Sequence, residues 1–348
     1  SAIRKAQRMR GKGVTYDTGF FNGGVSTHEP FDSKVVKREM RIIHDDLRCN
    51  AVRITGGNAD RLEVAATHAV TAGLEVWFSP FTCDLTTDEL LDFLADCAER
   101  AERLRIQDAE VVFVSGAELS LFTAGFLPGD TLNDRLALLA TPQRLREELP
   151  KVPARINTFL SNAAAVVRER FGGKISYASI PFEGVDWTPF DFVAVDNYRS
   201  RAIAGQYRTG IHALVAQGKA QGKPVAITEF GCATYLGAAD KGASAAMIVV
   251  YDDTTPIGLD GHYTRDEAEQ ATYLRELLDI FTAEGVDTVF ANTFVSYHLP
   301  HRSDPRKDLD MASYGIVTVL EDQLGHAYPD MAWEPKVAFT ALADYYRD

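Results

Sequence analysis

Several things are missing from this chain. Its four cysteines, Cys49, Cys83, Cys97 and Cys232, contain no CxxC pair, so neither a disulfide framework nor a zinc site is expected. No apolar run approaches the ~20 residues that a membrane-spanning helix needs. Positive charge is in deficit: 36 Lys and Arg against 49 Asp and Glu give a net charge of −13. That argues against nucleic acid, whose phosphates need a basic footprint, and against an anionic membrane surface. No GxGxxG or P-loop follows a predicted strand, which disfavours an open nucleotide-binding sheet. The first predicted strand carries no HxH and the sixth ends without a lysine. Metal-dependent amidohydrolase and Schiff-base aldolase chemistry are thereby disfavoured, and no cofactor or metal is implied. Two histidines, His298 and His301, share a loop, but no partner pattern accompanies them, so His298 reads as a substrate contact or a solvated loop residue. The basic start SAIRKAQRMRGKG has no hydrophobic segment behind it. It is not a secretory signal as it stands, so a cytoplasmic location is expected, although a signal removed ahead of position 1 would leave no trace. Residues 1–12 are expected to form a flexible basic segment.

What the chain does have is a repeated strand–helix alternation. β-rich runs open after glycines at AGLEVWF, FGGKISYA, QGKPVAIT and EGVDTVFA. Gly73, Gly172, Gly222 and Gly285 suit the left-handed position that closes a helix. Eight strands are predicted, near 13–16, 51–55, 74–79, 110–115, 174–179, 192–195, 224–232 and 287–292. Helices lie between most of them, and only a short segment separates the fifth from the sixth. Thr86–Glu89 and Thr264–Glu267 read as Ser/Thr-x-x-Glu capping boxes. YGIVTVLEDQLGHAY reads as a hairpin ahead of a last helix from about Pro335. Eight parallel strands joined by right-handed crossovers close into a (β/α)8 TIM barrel. No linker-like break divides the 348 residues, so one domain with elaborated βα loops is expected.

In such a barrel the chemistry sits at the C-terminal strand ends. Those ends offer Tyr16 and Asp17, Arg53, Trp77, Glu118, Asp196-Asn197-Tyr198, Glu229, and Asn292-Thr293-Phe294 with Tyr297 and His298 beyond. Glu118 and Glu229 leave strands four and seven and would face each other across the barrel mouth. A facing pair of carboxylates is what glycoside cleavage needs, one protonated and one ionised. Arg53 and Tyr198 are placed to hold Glu229 ionised, by charge and hydrogen bond. A structural Arg53–Glu229 pair without chemistry is the plainer alternative. Trp77, Trp187, Tyr16 and Phe81 can stack on sugar faces or simply pack the core.

The pattern resembles the clan A glycoside hydrolases. The matching pieces are ITEFG around Glu229, SGAELS with Glu118, VRI with Arg53, DFVAVDNYR with Tyr198, and the closing WEPKVAFTALADYY. The resemblance implies a retaining enzyme acting on a β-linked sugar, with Glu229 as nucleophile and Glu118 as acid/base. It also implies that Tyr198 bonds the nucleophile and Arg53 supports it electrostatically. The expected partner is a small-molecule or oligosaccharide substrate.

Two positions depart from the clan. Ala117 stands where an Asn normally binds the sugar 2-hydroxyl, leaving Asn197 or Asn292 to supply that contact. The platform Trp after strand eight is also missing, with Phe294 or Tyr297 as stand-ins. The Ala117 departure keeps two other readings open: a glycosidase-like barrel repurposed for acid/base elimination or cyclisation, and a catalytically silent sugar-binding protein.

Overall fold

The computed structural model describes residues 8–347. Eight parallel strands form one sheet: β1 (Gly11–Asp17), β2 (Ala51–Gly56), β3 (Glu75–Pro80), β4 (Val111–Ala117), β5 (Lys174–Ala178), β6 (Val193–Asp196), β7 (Val225–Phe230) and β8 (Thr288–Ala291). The ladder runs β5-β4-β3-β2-β1-β8-β7-β6. A bridge between Ser179 and Val195 spans the remaining seam from β5 to β6, and the expected barrel is therefore present. Of the expected basic segment, residues 1–7 lie outside the described residues, and Gly11 and Lys12 belong to β1. Arg10 pairs with Glu75 at 3.0 Å and Asp287 at 3.1 Å.

The strands read as nearly continuous apolar runs because both faces are covered. Outward residues meet seven helices: α1 (Ser33–Asp45), α2 (Ala59–Thr71), α3 (Thr87–Arg105), α4 (Val152–Arg168), α5 (Ala204–Ala220), α6 (Glu267–Glu284) and α7 (Val337–Tyr346). Inward residues fill the barrel. Trp77 packs edge-on to Phe192 and tilted against Phe290, with ring centroids 4.9 and 5.1 Å away, among Ala51, Ala194 and Ala226. Large rings fit only because small residues stand beside them. No helix among the described residues is long and apolar enough to cross a membrane.

Several local expectations shift. The Thr86 capping box is present at the start of α3, but α6 is capped two residues later than expected, by Asp266 accepting from the Glu269 N–H at 2.9 Å. Gly73, Gly222 and Gly285 have positive φ. Gly172 does not; its N–H donates to Glu102 at 2.9 Å instead. The run Val317–Val319 pairs with Trp333–Pro335 rather than within the segment 314–328. The long loop after β7 holds an unforeseen hairpin, Val249–Asp252 with Thr255–Leu259.

Beside the barrel, α1 buries a carboxylate completely. Glu39 accepts from the hydroxyls of Tyr16 at 2.7 Å and Tyr297 at 2.8 Å, and from the Trp333 indole at 3.0 Å. Burial still dominates these donors and pushes Glu39 from its ordinary 4.5 up to about 7. Between those values the folded protein holds a proton that the unfolded chain releases, so stability falls as pH rises through the window. The loss expected above pH ~7 is roughly 3 kcal/mol. Urea unfolding of wild type and Glu39→Gln at pH 5 and pH 8 checks this. The wild-type drop should exceed that of the variant by about that amount, and equal drops would remove Glu39 as the cause.

Candidate active site

Glu118 follows β4 directly. Its backbone is left-handed, with φ 45° and ψ 45°, a conformation costly for a side chain with a Cβ and maintained only by its surroundings. The surroundings are specific. The Glu118 N–H donates to the Ala178 carbonyl at 2.8 Å, and the next N–H donates to the Tyr177 hydroxyl at 2.9 Å. Tyr177 in turn donates to buried Glu183 at 2.8 Å, which also accepts from the Ser120 N–H at 3.0 Å. A register shift in β4 between Val114 and Ala117 turns the strand exit toward the mouth.

Glu229 is the fifth residue of β7. Neighbouring strands lock it in place. Arg53, fully buried on β2, donates to the Thr228 carbonyl at 2.9 Å, to Glu229 Oε2 at 3.2 Å and to Ser79 at 3.1 Å. The Tyr198 hydroxyl donates to Glu229 Oε1. Asn292 Nδ2 donates to Tyr198 at 3.0 Å, and Thr15 donates to Asn292 Oδ1 at 2.8 Å. Both oxygens of Glu229 thus face donors, the environment that suits an anion. Gly231 permits this convergence, since a Cβ there would lie 2.2 Å from the Asn292 carbonyl oxygen.

The two glutamates meet. One carboxylate oxygen from each of Glu118, Asp196 and Glu229 lies within 4.8 Å of the others. Burial, then the charges of Asp196 and Glu229, holds the Glu118 carboxyl well above the usual carboxylate range. Burial and Glu229 also push Asp196 up, against Arg53 at 3.7 Å and a 2.6 Å hydrogen bond from Thr228. Three acidic groups at this spacing can gather a cation. Here the counter-charge is already supplied by Arg53, and Tyr198 occupies the other face of Glu229. The trio therefore suits proton transfer and nucleophilic attack better than metal binding.

A cavity of 270 Å³ opens over Glu229, with Asp17, Arg53, Asn292 and His298 in its wall. Phe20, Phe81 and Phe122 form an apolar side, each edge-on to the others at 4.8–5.6 Å, and Tyr314 closes another. Asp17 is tied to its own loop through the Gly19 N–H at 2.8 Å and the Thr27 hydroxyl.

Seven expected contact residues, Tyr198 and Trp187 among them, are not in the wall of this cavity, and neither is Glu118. Tyr16 and Tyr297 turn outward to Glu39. Trp77 fills the barrel interior. Phe294 is buried between Tyr16 and Trp333, so neither stand-in for the platform Trp serves. Asn197 donates its backbone N–H to the Glu229 carbonyl at 2.8 Å, and it lines a separate cavity on the barrel flank, beside α5. Strand alternation turns Tyr16 to the outer face of β1, whereas Trp77 points inward but is taken up by the packed barrel interior. Asp196, Glu183, Phe20, Phe122 and Tyr314 are the residues that sequence reasoning passed over. Asp196 had a signal, an acidic residue at a predicted strand end. Tyr314 had none, being carried in by a long loop.

No protein-family model matches the chain, and no curated protein does. Solved structures do match. A GH113 β-1,4-mannanase superposes with a TM-score of 0.63 at 15% identity, over 98% of this chain and 99% of that one. The likeness is one of fold, a (β/α)8 barrel shared with these glycoside hydrolases. AaManA, the GH113 β-mannanase of Alicyclobacillus acidocaldarius in complex with ManMIm, gives a TM-score of 0.60 at 15% identity, over 97% of both chains. β-Glucuronidase 2 of Bacteroides uniformis, covalently bound to cyclophellitol-6-carboxylate aziridine, gives 0.56 at 14% identity, over 99% of this chain and 36% of that one. The shared fold extends over nearly the whole chain.

Proposed function

We propose that this protein is a retaining glycosidase or transglycosidase acting on a β-linked sugar. The observation that carries the reading is the spacing of Glu118 and Glu229, whose oxygens approach within 4.8 Å. Carboxyl groups ~5–5.5 Å apart suit direct attack by one of them, whereas inversion needs ~6.5–9.5 Å to admit a water. Glu229 attacks the anomeric carbon while Glu118 passes its proton to the departing oxygen. The C–O bond to the leaving group breaks as the ester bond to Glu229 forms. Glu118, now a carboxylate, then takes a proton from the incoming water or acceptor hydroxyl, whose oxygen displaces Glu229. Tyr198 and Arg53 hold the attacking carboxylate in one orientation and receive its charge back when the ester breaks.

A 2-fluoro β-glycoside with an activated leaving group tests this. Mass spectrometry of a digest should find the label on Glu229, and turnover without any adduct on Glu229 would reject the mechanism. A second expectation concerns pH. Because Glu118 must be protonated and its carboxyl is raised by burial and by the charges of Asp196 and Glu229, kcat/KM should fall as Glu118 ionises, at a pH above the ordinary carboxylate range. That descending limb should be absent from the profile of Glu118→Gln on an activated aryl glycoside; its persistence would assign it to another group.

A second reading keeps the same carboxylates as acid and base for elimination or cyclisation. It is favoured by the missing 2-hydroxyl contact. Ala117 is packed in the barrel interior, Asn292 is engaged at both amide atoms, and Asn197 lies beside a different cavity. Formation of the fluoroglycosyl adduct would count against this reading.

A further inference from the structure

We propose that the site is built for two sugar rings, the second a neutral one held in a chamber made by three loop excursions from the barrel. The proposal rests on the glycosidase reading and deepens it. The cavity over Glu229, at 270 Å³, falls below the ~300–1,000 Å³ usual for ligand pockets. A second cavity of 330 Å³ adjoins it, and Phe20 and His298 stand in the walls of both. Three excursions that do nothing for the barrel converge on this chamber. They are the hairpin Phe21–Asn22 with Val25–Ser26 after β1, the helix Leu132–Leu139 after β4, and the hairpin Val249–Asp252 with Thr255–Leu259 after β7.

The lining selects the ligand class. Phe20 and Tyr251 supply rings for the C–H face of a sugar, while Asn22, Asn133 and Thr254 supply amide and hydroxyl groups for its edge. An alkyl or aryl group would leave those polar groups without partners. An acidic sugar would need a cation, yet the one formal charge in the lining is Asp253, with no Lys or Arg beside it. Between the chambers, His298 Nδ1 is buried and has no hydrogen-bond partner among the described residues.

The test compares substrate lengths in wild type and in the double variant Asn133→Ala/Tyr251→Ala, both exposed positions outside the catalytic cluster. The probes are 4-nitrophenyl β-monosides and the matching β-1,4-linked biosides in the manno, gluco and galacto series, with a bioside whose second ring is glucuronic acid as the charged control. In wild type the neutral biosides should exceed the monosides in kcat/KM, and the bioside with the charged second ring should be the poorest of the biosides. The double variant should lose about ten-fold on its best bioside, equivalent to ~1.4 kcal/mol, and stay within about two-fold on the monoside. Equal losses on both lengths, or no loss on the bioside, would overturn the second chamber. If wild type cleaves none of the panel, the hydrolytic reading fails by itself. Calorimetric titration of the three neutral β-1,4-disaccharides then decides the chamber: binding by wild type that the double variant loses supports it. Equal binding, or none by either protein, overturns it.

Discussion

Replacing Glu229 by alanine is expected to lower kcat by roughly 10⁴-fold or more, because the nucleophile itself is removed and no neighbour can replace it. Asp196 also lies within 4.8 Å, but it is buried and bonded to Thr228. The space left by Glu229→Ala would lie beside Arg53 and Tyr198, two donors that attract a small anion. Added azide should therefore restore turnover of an activated glycoside and yield a glycosyl azide of inverted configuration. Glu118→Gln should behave differently. Losing the acid costs roughly 10²–10⁴-fold on a poor leaving group, and much less on a dinitrophenyl glycoside that departs without a proton. Steady-state kinetics on a leaving-group series, with product configuration read by NMR, distinguishes the two roles. If both variants lose the same factor on every leaving group, the assignment of Glu118 as the acid is wrong. If either keeps full activity, the pair does not catalyse the reaction.

Asp310→Ala is expected to cause the largest loss of stability. Asp310 is fully buried where the loops after β7 and β8 meet the C-terminal helix. Arg265 donates to its Oδ2 at 2.6 Å, and the Lys336 ammonium lies 3.1 Å from Oδ1. The Lys336 contact is not aligned as a hydrogen bond, since Oδ1 has no such partner, so charge is what joins the two. Lys336 is almost wholly enclosed, and its one well-formed bond goes to Thr234 at 2.8 Å. Burial already pulls the Lys336 ammonium below its ordinary range, with Asp310 opposing that pull. Removing Asp310 leaves a buried cation without its anion, a change that costs ~3–5 kcal/mol. Denaturant unfolding measures it. The compensated variant Asp310→Leu/Lys336→Met should recover most of the loss, because two charges leave together. A single-variant loss under ~1 kcal/mol would mean that water reaches Lys336 and the pair is dispensable.

Much of the site was legible because its parts obey local rules. A carboxylate ending the buried run PVAIT had to find partners. Arg53 within the second strand and Tyr198 just past the sixth were the expected partners, and both donate to Glu229. Asp17, Asn292 and His298 also reach the cavity wall. Other parts defeated the same logic. Trp77 sits on a strand between residues of ordinary size, and nothing local says that its ring points inward to meet Phe192 and Phe290. Tyr16 and Tyr297 are drawn away by Glu39, a helix residue whose burial is a property of the assembled wall. Asp196 was visible at its strand end. Its place within 4.8 Å of both glutamates follows from a register shift between Val195 and Asp196 that no pattern announces.

Taken by itself, the sequence determined the alternation of strand and helix, the closed eight-strand topology that this alternation favours, and the strand ends on which acidic residues stand. Those properties come from periodicity, helix-ending glycines and the short reach of caps, all set by residues a few positions apart. Tertiary structure alone decided which strand-end side chains turn into the cavity, how close Glu118 comes to Glu229, and which loops wall the neighbouring chamber. Those depend on bulges, on packing between strands distant in sequence, and on loops whose paths are fixed only by what they touch.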